Sequence, residues 1–487
     1  MTDQYDIINH DSNGRGSTKA IECVAQQAKI ALKEHHNLTS NLMKEIASIA
    51  NLKRAFKSVK RNKGAPGIDK TSIEEINGKL DLILEDIAVK LLDGTYIPSP
   101  VRAVEIPKNN GTRQLGIPTV IDRIVTQSIS QTLNKIFEPL FSESSYGFRP
   151  RHNAQQAVSQ ARQYVQNDRI WVVDVDLANF FDTVAHDKLM SLLAKEIKDK
   201  VLLKLIRKFL QAGVMHNGVC IRKGQGTAQG SPLSPILSNI MLHELDKELD
   251  KRGHSFCRYA DDCNIYVQSK AAGRRVLKSI TNFINQRLKL RVNNTKSAVD
   301  KVANRSFLGF TISNNGSISI AKASIKKFKD KVRIITRRNR GRKLELIIKE
   351  LAQTTRGWFH YFKISESESL FKHLDCWCRR KIRCYRLKQR KRKYSIKTFL
   401  HKLGVPQQQC WNLACSDKGW WRMSLNNVIH RGMNLNWFKR NAYFSLHEAF
   451  GKHKSETRRM RQRTYGGVRG RFCKGSLYSI QFLCLEV

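Results

Sequence analysis

Two adjacent carboxylates, Asp261 and Asp262, stand between the short apolar segments SFCRY and NIYVQS. The two segments predict a pair of strands joined by a tight turn, with the carboxylates at its tip. Neighbouring like charges repel each other unless a cation neutralises them. Carboxylate oxygens suit Mg²⁺, which takes one or two protein carboxylates and leaves room for waters and substrate phosphates. By itself, an Asp-Asp pair is more typical of an ordinary solvated turn than of a metal site.

A third acidic position comes from an earlier apolar run, IWVVDVDL, at residues 170–177. Such a continuous run predicts a buried strand, and its Asp174 and Asp176 share one face because side chains two apart point the same way. From spacing alone, either aspartate could join the pair at the turn. Three carboxylates could hold two magnesium ions roughly 3.5 to 4 Å apart, which activate a 3′ hydroxyl and stabilise a leaving pyrophosphate.

The net charge indicates the kind of partner. The chain carries 87 Lys and Arg against 41 Asp and Glu, a formal charge of +46, far more than solubility requires. The charge is spread along most of the chain rather than gathered on one amphipathic anchor, which favours nucleic acid over a membrane surface. No apolar run approaches the ~20 residues of a membrane span, and the amino terminus does not resemble a secretory signal. We therefore expect a cytosolic protein with no membrane partner.

The cysteines indicate neither a disulfide framework nor a zinc site. The chain has 11 of them, and no two stand in a CxxC motif. In a cytosolic protein they are best interpreted as reduced, mostly buried side chains.

The elements around these carboxylates suggest an α+β domain. Helical periodicity runs over residues 18–60, and the loop at residues 62–69 follows it. Residues 96–118 alternate like a hairpin turning at NNG, and a helix is expected over residues 122–137. Strands interleaved with helices predict a central antiparallel sheet. Beyond it, residues 321–400 hold 26 Lys and Arg against 6 Asp and Glu, in helices with one apolar and one basic face.

Several blocks of the chain resemble a known family. They read NKGAPGID, VEIPKNNGTRQLGIPTVIDRIVTQSI, SYGFRP, VDVDLANFFDTVAHDKLM, GTAQGSPLSPILSNIMLHELD, RYADDCNIYV, LKLRVNNTKS, FLGF and LAQTTRGWFHYF. In this order they are similar to the blocks of group II intron reverse transcriptases, and the last is similar to their thumb, or maturase-specific, region. The resemblance implies a right-hand polymerase with fingers, a palm built on an antiparallel sheet and an α-helical thumb, followed here by a small basic C-terminal domain. It also implies RNA-directed DNA synthesis from dNTPs with two Mg²⁺ ions, and binding of intron RNA and target DNA for splicing and mobility.

The resemblance implies roles for individual residues. It selects Asp176 over Asp174 as the partner of Asp261 and Asp262 in a catalytic, metal-binding trio. It places Lys108 and Arg113 on the triphosphate, Phe181 against a 2′ hydroxyl, Gln229 beside the nucleotide and Lys296 near the pyrophosphate. Those five form the expected nucleotide-binding set: Lys108, Arg113, Phe181, Gln229 and Lys296.

The basic region after the palm offers candidates for RNA contact. The expected RNA-binding residues are Arg379, Arg380, Lys381, Arg383 and Arg386. The aromatic run at residues 358–362 is too tightly clustered to be one exposed face, and most of it is expected to pack in a core. The basic segment at residues 458–471 is expected to be a flexible strip for DNA or RNA.

The resemblance also organises the chain into four regions. They are residues 1–40 as an N-terminal extension, 41–318 as fingers and palm, 319–402 as thumb, and 403–487 as a basic DNA- or RNA-binding region.

Ala228 and Ser231 flank Gln229 and Gly230 where the family commonly has Pro-Gln-Gly-Gly, which leaves the subgroup open. The spacing of paired cysteines and histidines typical of the family's nuclease is missing, so no endonuclease is expected.

Two alternatives to an intron-encoded polymerase stay open. One is a splicing-only maturase that binds RNA without polymerising, against which the intact YADD at residues 259–262 argues. The other is a domesticated reverse transcriptase serving phage defence or a CRISPR locus, which the maturase-like thumb disfavours.

Overall fold

The computed structural model describes residues 41–108, 111–216, 219–221 and 224–466, with the side chains of residues 107–113, 216–223 and those from 460 onward left aside. The chain divides into two compact units, Met1–Arg305 and Ser306–Val487. The expected N-terminal extension, residues 1–40, lies outside the described residues. The boundary between these units, after Arg305, lies before residue 318, where the palm is predicted to end.

The first unit interleaves helices with two small sheets. Its helices are α1 (Leu42–Ala47), α2 (Ile49–Arg61), α3 (Ile73–Gly78), α4 (Leu80–Leu92), α5 (Val120–Phe137), α6 (Ala154–Gln166), α7 (Phe180–Thr183), α8 (His186–Glu196), α9 (Lys200–Gln211), α10 (Ser234–Lys251) and α11 (Lys270–Phe283). Its strands are β1 (Val101–Lys108), β2 (Gly111–Ile117), β3 (Trp171–Val175), β4 (Val214–His216), β5 (Val219–Ile221), β6 (Ser255–Tyr259), β7 (Asp262–Val267) and β8 (Ala298–Lys301).

The amino-terminal helical region differs from its prediction. Its periodicity suggested one helix through Leu42 and Phe56, but the helix is interrupted between α1 and α2. Ser48 takes an extended conformation there, and its side chain accepts a hydrogen bond from the Asn51 backbone as the N-cap of α2. Apolar spacing continues across the break because both short helices bury their apolar faces in the same core.

The predicted hairpin at residues 96–118 is confirmed. Strands β1 and β2 pair antiparallel from Arg102↔Ile117 to Lys108↔Gly111. The hairpin belongs to a four-stranded sheet of order β2-β1-β4-β5, in which β1 and β4 run parallel.

The predicted antiparallel sheet is also confirmed, with strand order β6-β7-β3-β8 and every pair antiparallel. Helix α11 lies very close to it: a Cβ on Gly273 would stand 2.5 Å from the Val299 side chain. The fully buried Phe256, Val173 and Ile265 join the sheet to the surrounding helices in one apolar core. This packing holds the carboxyl ends of β3 and β6 beside the amino end of β7, at the same end of the sheet.

The second unit is mostly helical. After the hairpin of β9 (Phe310–Ile312) and β10 (Ile318–Ile320) come α12 (Lys322–Ile335), α13 (Leu344–Phe362), α14 (Glu368–Arg390), α15 (Lys393–Lys402), α16 (Gln407–Ala414), α17 (Trp420–Met423), α18 (Asn427–Gly432), α19 (Leu435–Arg440) and α20 (Leu446–Gly466). The aromatic run on α13 packs inward as expected, with Phe359 and Phe362 buried and the Trp358 ring 4.4 Å from that of Phe328.

The basic strip and the cysteines can also be compared with their predictions. The part of the basic strip that the structure describes, residues 458–466, is the end of α20 and therefore helical rather than flexible. Of the cysteines within the described residues, Cys257, Cys263, Cys378, Cys384 and Cys410 are buried, as predicted. No helix among the described residues combines the length and the apolar character that a membrane crossing requires.

Candidate active site

The two carboxylates of YADD lie at the tip of the β6–β7 hairpin. Tyr259 and Asp262 form the last pair of the ladder, so Ala260 and Asp261 alone make the turn. Ala260 has a φ of +58°, a left-handed conformation that is uncommon for a residue with a side chain. Strained backbone of this kind persists only where the surrounding structure enforces it, and it is frequent at functional sites.

Asp176 lies directly across from this tip. Strand β3 pairs with β7 up to Val175↔Cys263, and one further step along the register brings Asp176 opposite Asp262. Its backbone is held on both sides: the Asp176 N–H donates to Ser297 Oγ at 2.9 Å, and the Asp176 carbonyl accepts from the Asn293 N–H at 2.8 Å. The loop before β8 therefore fixes Asp176 at the edge of the sheet.

Asp174, the alternative considered from spacing, has a different environment. It pairs with Asn264 in the ladder, and its carboxylate forms an ion pair with Arg305 at 3.4 Å. Burial raises the pKa of Asp174, while Arg305 opposes the rise. The strand register separates the two aspartates: Asp174 lies opposite Asn264, two residues farther from the hairpin tip than Asp176.

Lys296 contacts the trio directly. Its Nζ lies 3.4 Å from Asp176 Oδ2, and its side chain is largely exposed. It thus stands at the edge of the carboxylate cluster, within reach of whatever the cluster binds.

The charges of the trio are coupled. Asp262 opens to solvent at the hairpin tip, but the surrounding protein limits its hydration, and this desolvation together with Asp261, Asp174 and Asp176 raises its pKa to about 6. A cation would relieve this repulsion. Within the described residues, no group of three or more His, Cys, Asp or Glu side chains is placed so that it could hold a metal ion. Carboxylate oxygens suit hard divalent cations, which take part of their coordination from waters and substrate phosphates.

A fully buried arginine braces the hairpin from behind. Arg258 donates to both oxygens of Asp246, at 2.7 and 2.6 Å, and to Asn239 Oδ1 at 3.1 Å. Its remaining bonds reach Ser145 Oγ at 2.7 Å and the Ala260 carbonyl at 2.9 Å. Burial alone would lower the pKa of Arg258, but the charge of Asp246 reverses this, and the pKa lies above its ordinary value. The strained turn is therefore tied to the centre of the unit by a permanently charged group.

The SYGFRP block packs against the same hairpin. A Cβ on Gly147 would lie 2.2 Å from the Ala260 nitrogen, so only glycine allows this approach. The Gly147 carbonyl accepts from Asn239 Nδ2 at 2.9 Å, and the Tyr146 N–H donates to the Arg258 carbonyl at 2.8 Å. Beside them Phe148 is half exposed, with its ring centroid 6.5 Å from that of Tyr259.

Phe181 and Gln229 are brought together by one loop. The Thr227 N–H donates to the Phe181 carbonyl at 2.6 Å, and the Gln229 carbonyl accepts from the Gly116 N–H at 3.0 Å. Gly230, with a φ of +121°, would place a Cβ 2.7 Å from the Gly116 oxygen. The loop thus links the palm at Phe181 to strand β2 of the fingers. The Lys108 and Arg113 side chains, expected on the triphosphate, lie outside the described residues.

The expected RNA-binding residues of α14 make many internal contacts. Arg379 pairs with the buried Asp375, and Arg383 is 7% exposed and donates twice to the Met433 carbonyl. Arg380 stacks 3.6 Å above the Trp421 ring, and the same ring lies 4.8 Å from Lys381 Nζ. Arg386 is half buried over the Phe399 ring at 4.8 Å. These side chains are therefore built into the fold of the second unit, and their RNA contact stays a prediction.

Several residues of the site were not singled out from the sequence. Ser297, Arg258, Asp246 and Gly147 lie within the family-like blocks, but no periodicity or spacing rule distinguishes them there. Arg305 stands outside every block. Each acts through contacts between segments far apart in the chain.

Two protein families match this chain. Residues 106–312 match the family described as "Reverse transcriptase (RNA-dependent DNA polymerase)", and residues 325–404 match "Group II intron, maturase-specific domain". The chain is 32% identical over 282 residues to "Protein YkfC" of Escherichia coli (strain K12), covering 50% of this chain and 74% of that protein.

Two named intron proteins are also similar. The chain is 38% identical over 198 residues to "Group II intron-encoded protein LtrA" of Lactococcus lactis subsp. cremoris, covering 40% of this chain and 32% of LtrA. It is 30% identical over 348 residues to "Putative COX1/OXI3 intron 2 protein" of Saccharomyces cerevisiae, covering 58% of this chain and 40% of that protein. It thus spans less than half the length of these two relatives. The family resemblance of the motif blocks is confirmed.

Proposed function

This chain belongs to the group II intron-encoded reverse transcriptases and maturases, a family of RNA-directed DNA polymerases, and we propose that it synthesises DNA at Asp176, Asp261 and Asp262. Membership in the family implies a divalent metal cofactor and nucleic acid as partner. The observation that carries the proposal is the register that brings Asp176 opposite Asp262 at the strained hairpin tip.

The proposed cofactor is a pair of Mg²⁺ ions. Asp176, Asp261 and Asp262 would hold them, because the register brings Asp176 opposite Asp262 at the hairpin tip and the three negative charges repel one another. When bound, the two ions would activate the primer 3′ hydroxyl and stabilise the pyrophosphate that leaves.

The chain's own residues would orient the substrates. Phe181 follows β3 closely enough to meet the sugar of a dNTP aligned on the carboxylates, and Gln229 is held beside it by the 226–230 loop. Lys108 and Arg113 supply positive charge for the triphosphate from the β1–β2 hairpin. Lys296, already paired with Asp176, is available to place a proton or a charge at the leaving group.

The proposed templates and partners are those of a mobile intron. The chain would bind its intron RNA to promote splicing, a non-catalytic role for the protein, and would then use target DNA as the primer for reverse transcription. The match of residues 325–404 to the maturase-specific domain supports this over a polymerase recruited for defence. A structured intron flanking the gene is expected, and a defence locus in its place would favour the other interpretation.

Primer extension on an RNA template tests the proposal. Asp261→Asn should abolish extension while leaving RNA affinity within a few fold, and chelation of Mg²⁺ should stop the wild-type reaction. Asp174→Asn is the matched control, because Asp174 shares the face of β3 but pairs with Arg305. Extension that survives Asp261→Asn, or that is lost equally in Asp174→Asn, would overturn the assignment of the three carboxylates.

A further inference from the structure

A large cavity opens in the second unit between α14 and the segment that carries α18 and α19. Its volume is about 560 Å³, within the range of roughly 300 to 1,000 Å³ that is usual for small-molecule pockets. Arg379, Arg380 and Arg383 line it from α14, and Leu425 and Leu435 stand at its rim.

The positive charge in this cavity is only partly compensated. Arg379 forms an ion pair with Asp375, which is itself buried. Among the described residues, no carboxylate pairs with Arg380 or Arg383. Arg380 donates to the Trp421 carbonyl at 3.0 Å, and Arg383 donates to the Met433 carbonyl at 2.9 and 3.2 Å.

Burying a guanidinium without a counter-charge is unfavourable, because the charged group loses its hydration. Desolvation and the nearby Arg379 lower the pKa of Arg383 to about 10, so the group is still charged at neutral pH. Desolvation also lowers the pKa of Arg380. An anion entering the cavity would offset both desolvated charges, and the planar fork of arginine matches a phosphate better than a point charge does.

The remainder of the lining combines the apolar or aromatic side chains of Trp377, Leu425 and Leu435 with those of Cys376, His430 and Asn434. Trp377 is half buried, while Leu425 and Leu435 are 52% and 53% exposed. A free phosphate ion would leave this surface uncovered. A phosphate joined to a sugar and a base would cover it, and an aromatic face accepts any base by stacking.

We propose that this cavity binds one nucleotide of a single-stranded nucleic acid. The phosphate lies against Arg380 and Arg383, and the base or sugar lies against Trp377, Leu425 and Leu435. A second cavity of about 240 Å³, lined by Arg338, Lys381 and Trp421, lies next along α14 and offers cations for the adjoining phosphate. This proposal rests on the proposed function, because it says where the second unit would hold the nucleic acid on which the polymerase acts.

The test places a negative charge at the rim. Leu435→Glu changes an exposed side chain, so the fold should be unaffected, and Leu346→Glu on α13 is the matched control because Leu346 is also 53% exposed. Binding of fluorescent single-stranded oligo(U) and oligo(dT) to the full chain is measured over a range of salt concentrations. Leu435→Glu should weaken binding about tenfold by repulsion of the bound phosphate. The slope of log affinity against log salt should become shallower by about 0.7 for each phosphate that the protein no longer neutralises.

The outcomes identify the strand or overturn the site. A larger loss with oligo(U) assigns the cavity to RNA, a larger loss with oligo(dT) assigns it to DNA, and an equal loss assigns it to the phosphate and base that both share. If Leu435→Glu binds both probes as Leu346→Glu does, the site is refuted. The same wild-type preparation is assayed for primer extension, and failure there counts against the polymerase instead of the cavity.

Discussion

Replacing Arg258 should have two distinct effects, one on the stability of the palm and one on the position of its carboxylates. Arg258→Met removes five hydrogen bonds and leaves Asp246 buried without its partner. Breaking a buried ion pair in this way costs about 3 to 5 kcal/mol of unfolding free energy. A typical domain is stable by about 5 to 15 kcal/mol, so the variant should still fold at low temperature. Urea titration followed by tryptophan fluorescence measures the decrease.

The effect on catalysis comes from a different bond. Without Arg258, the Ala260 carbonyl loses the donor that ties the strained turn to the interior. A displacement of the carboxylates by about 1 Å is enough to slow a reaction about a hundredfold. Single-turnover primer extension at a temperature where the variant is folded should therefore fall by about that factor, with RNA affinity little changed.

A second variant decides between the two effects. Arg258→Met combined with Asp246→Leu removes both charges, and replacing a buried ion pair with apolar side chains is often neutral for stability. The double variant should therefore recover much of the stability but not the extension rate, because the bond to Ala260 is still missing. Asp199→Ala is the control: it removes the buried N-cap of α9, away from the hairpin, and should lower stability without lowering the rate of the folded protein. Recovery of extension in the double variant would refute the positioning role of Arg258.

Three further outcomes are expected. Phe181→Ala should raise incorporation of ribonucleotides relative to deoxyribonucleotides in primer extension, and unchanged sugar selectivity would show that another residue excludes the 2′ hydroxyl. Burial lowers the pKa of His243 to about 4, and neither ring nitrogen has a hydrogen-bond partner among the described residues. The folded protein therefore favours the neutral ring. Stability is at its full value above pH 6.5, where the ring is neutral in the folded and the unfolded chain, and it is lost as the pH falls towards 4. The unfolding free energy should drop by about 3 kcal/mol over that window relative to His243→Leu, and parallel curves for the two proteins would contradict this. RNA binding should weaken steeply with salt, because the +46 chain releases counterions from the RNA, and a flat profile between low and physiological ionic strength would contradict a phosphate-based interface.

Much of the palm was predictable from local pattern. Strands β3, β6 and β7 follow from short apolar runs, and the YADD turn follows from the two carboxylates between them, because alternation and turn composition act over a few residues. The hairpin of β1 and β2 was predictable for the same reason. The break between α1 and α2 was not, since the same apolar spacing continues through Ser48 and only the local cap separates the helices.

The sequence by itself determined the family of this protein, through blocks that belong to one polymerase family, and its charge of +46 indicated a polyanionic partner. The tertiary structure decided which groups act together. It pairs Asp174 with Arg305 and sets Asp176 opposite Asp262, and it ties the turn to Arg258. In the second unit it builds the predicted RNA-binding arginines into internal contacts, and three of them, Arg379, Arg380 and Arg383, line a cavity. These outcomes depend on strand register and on burial, which arise only when segments distant in the chain pack together.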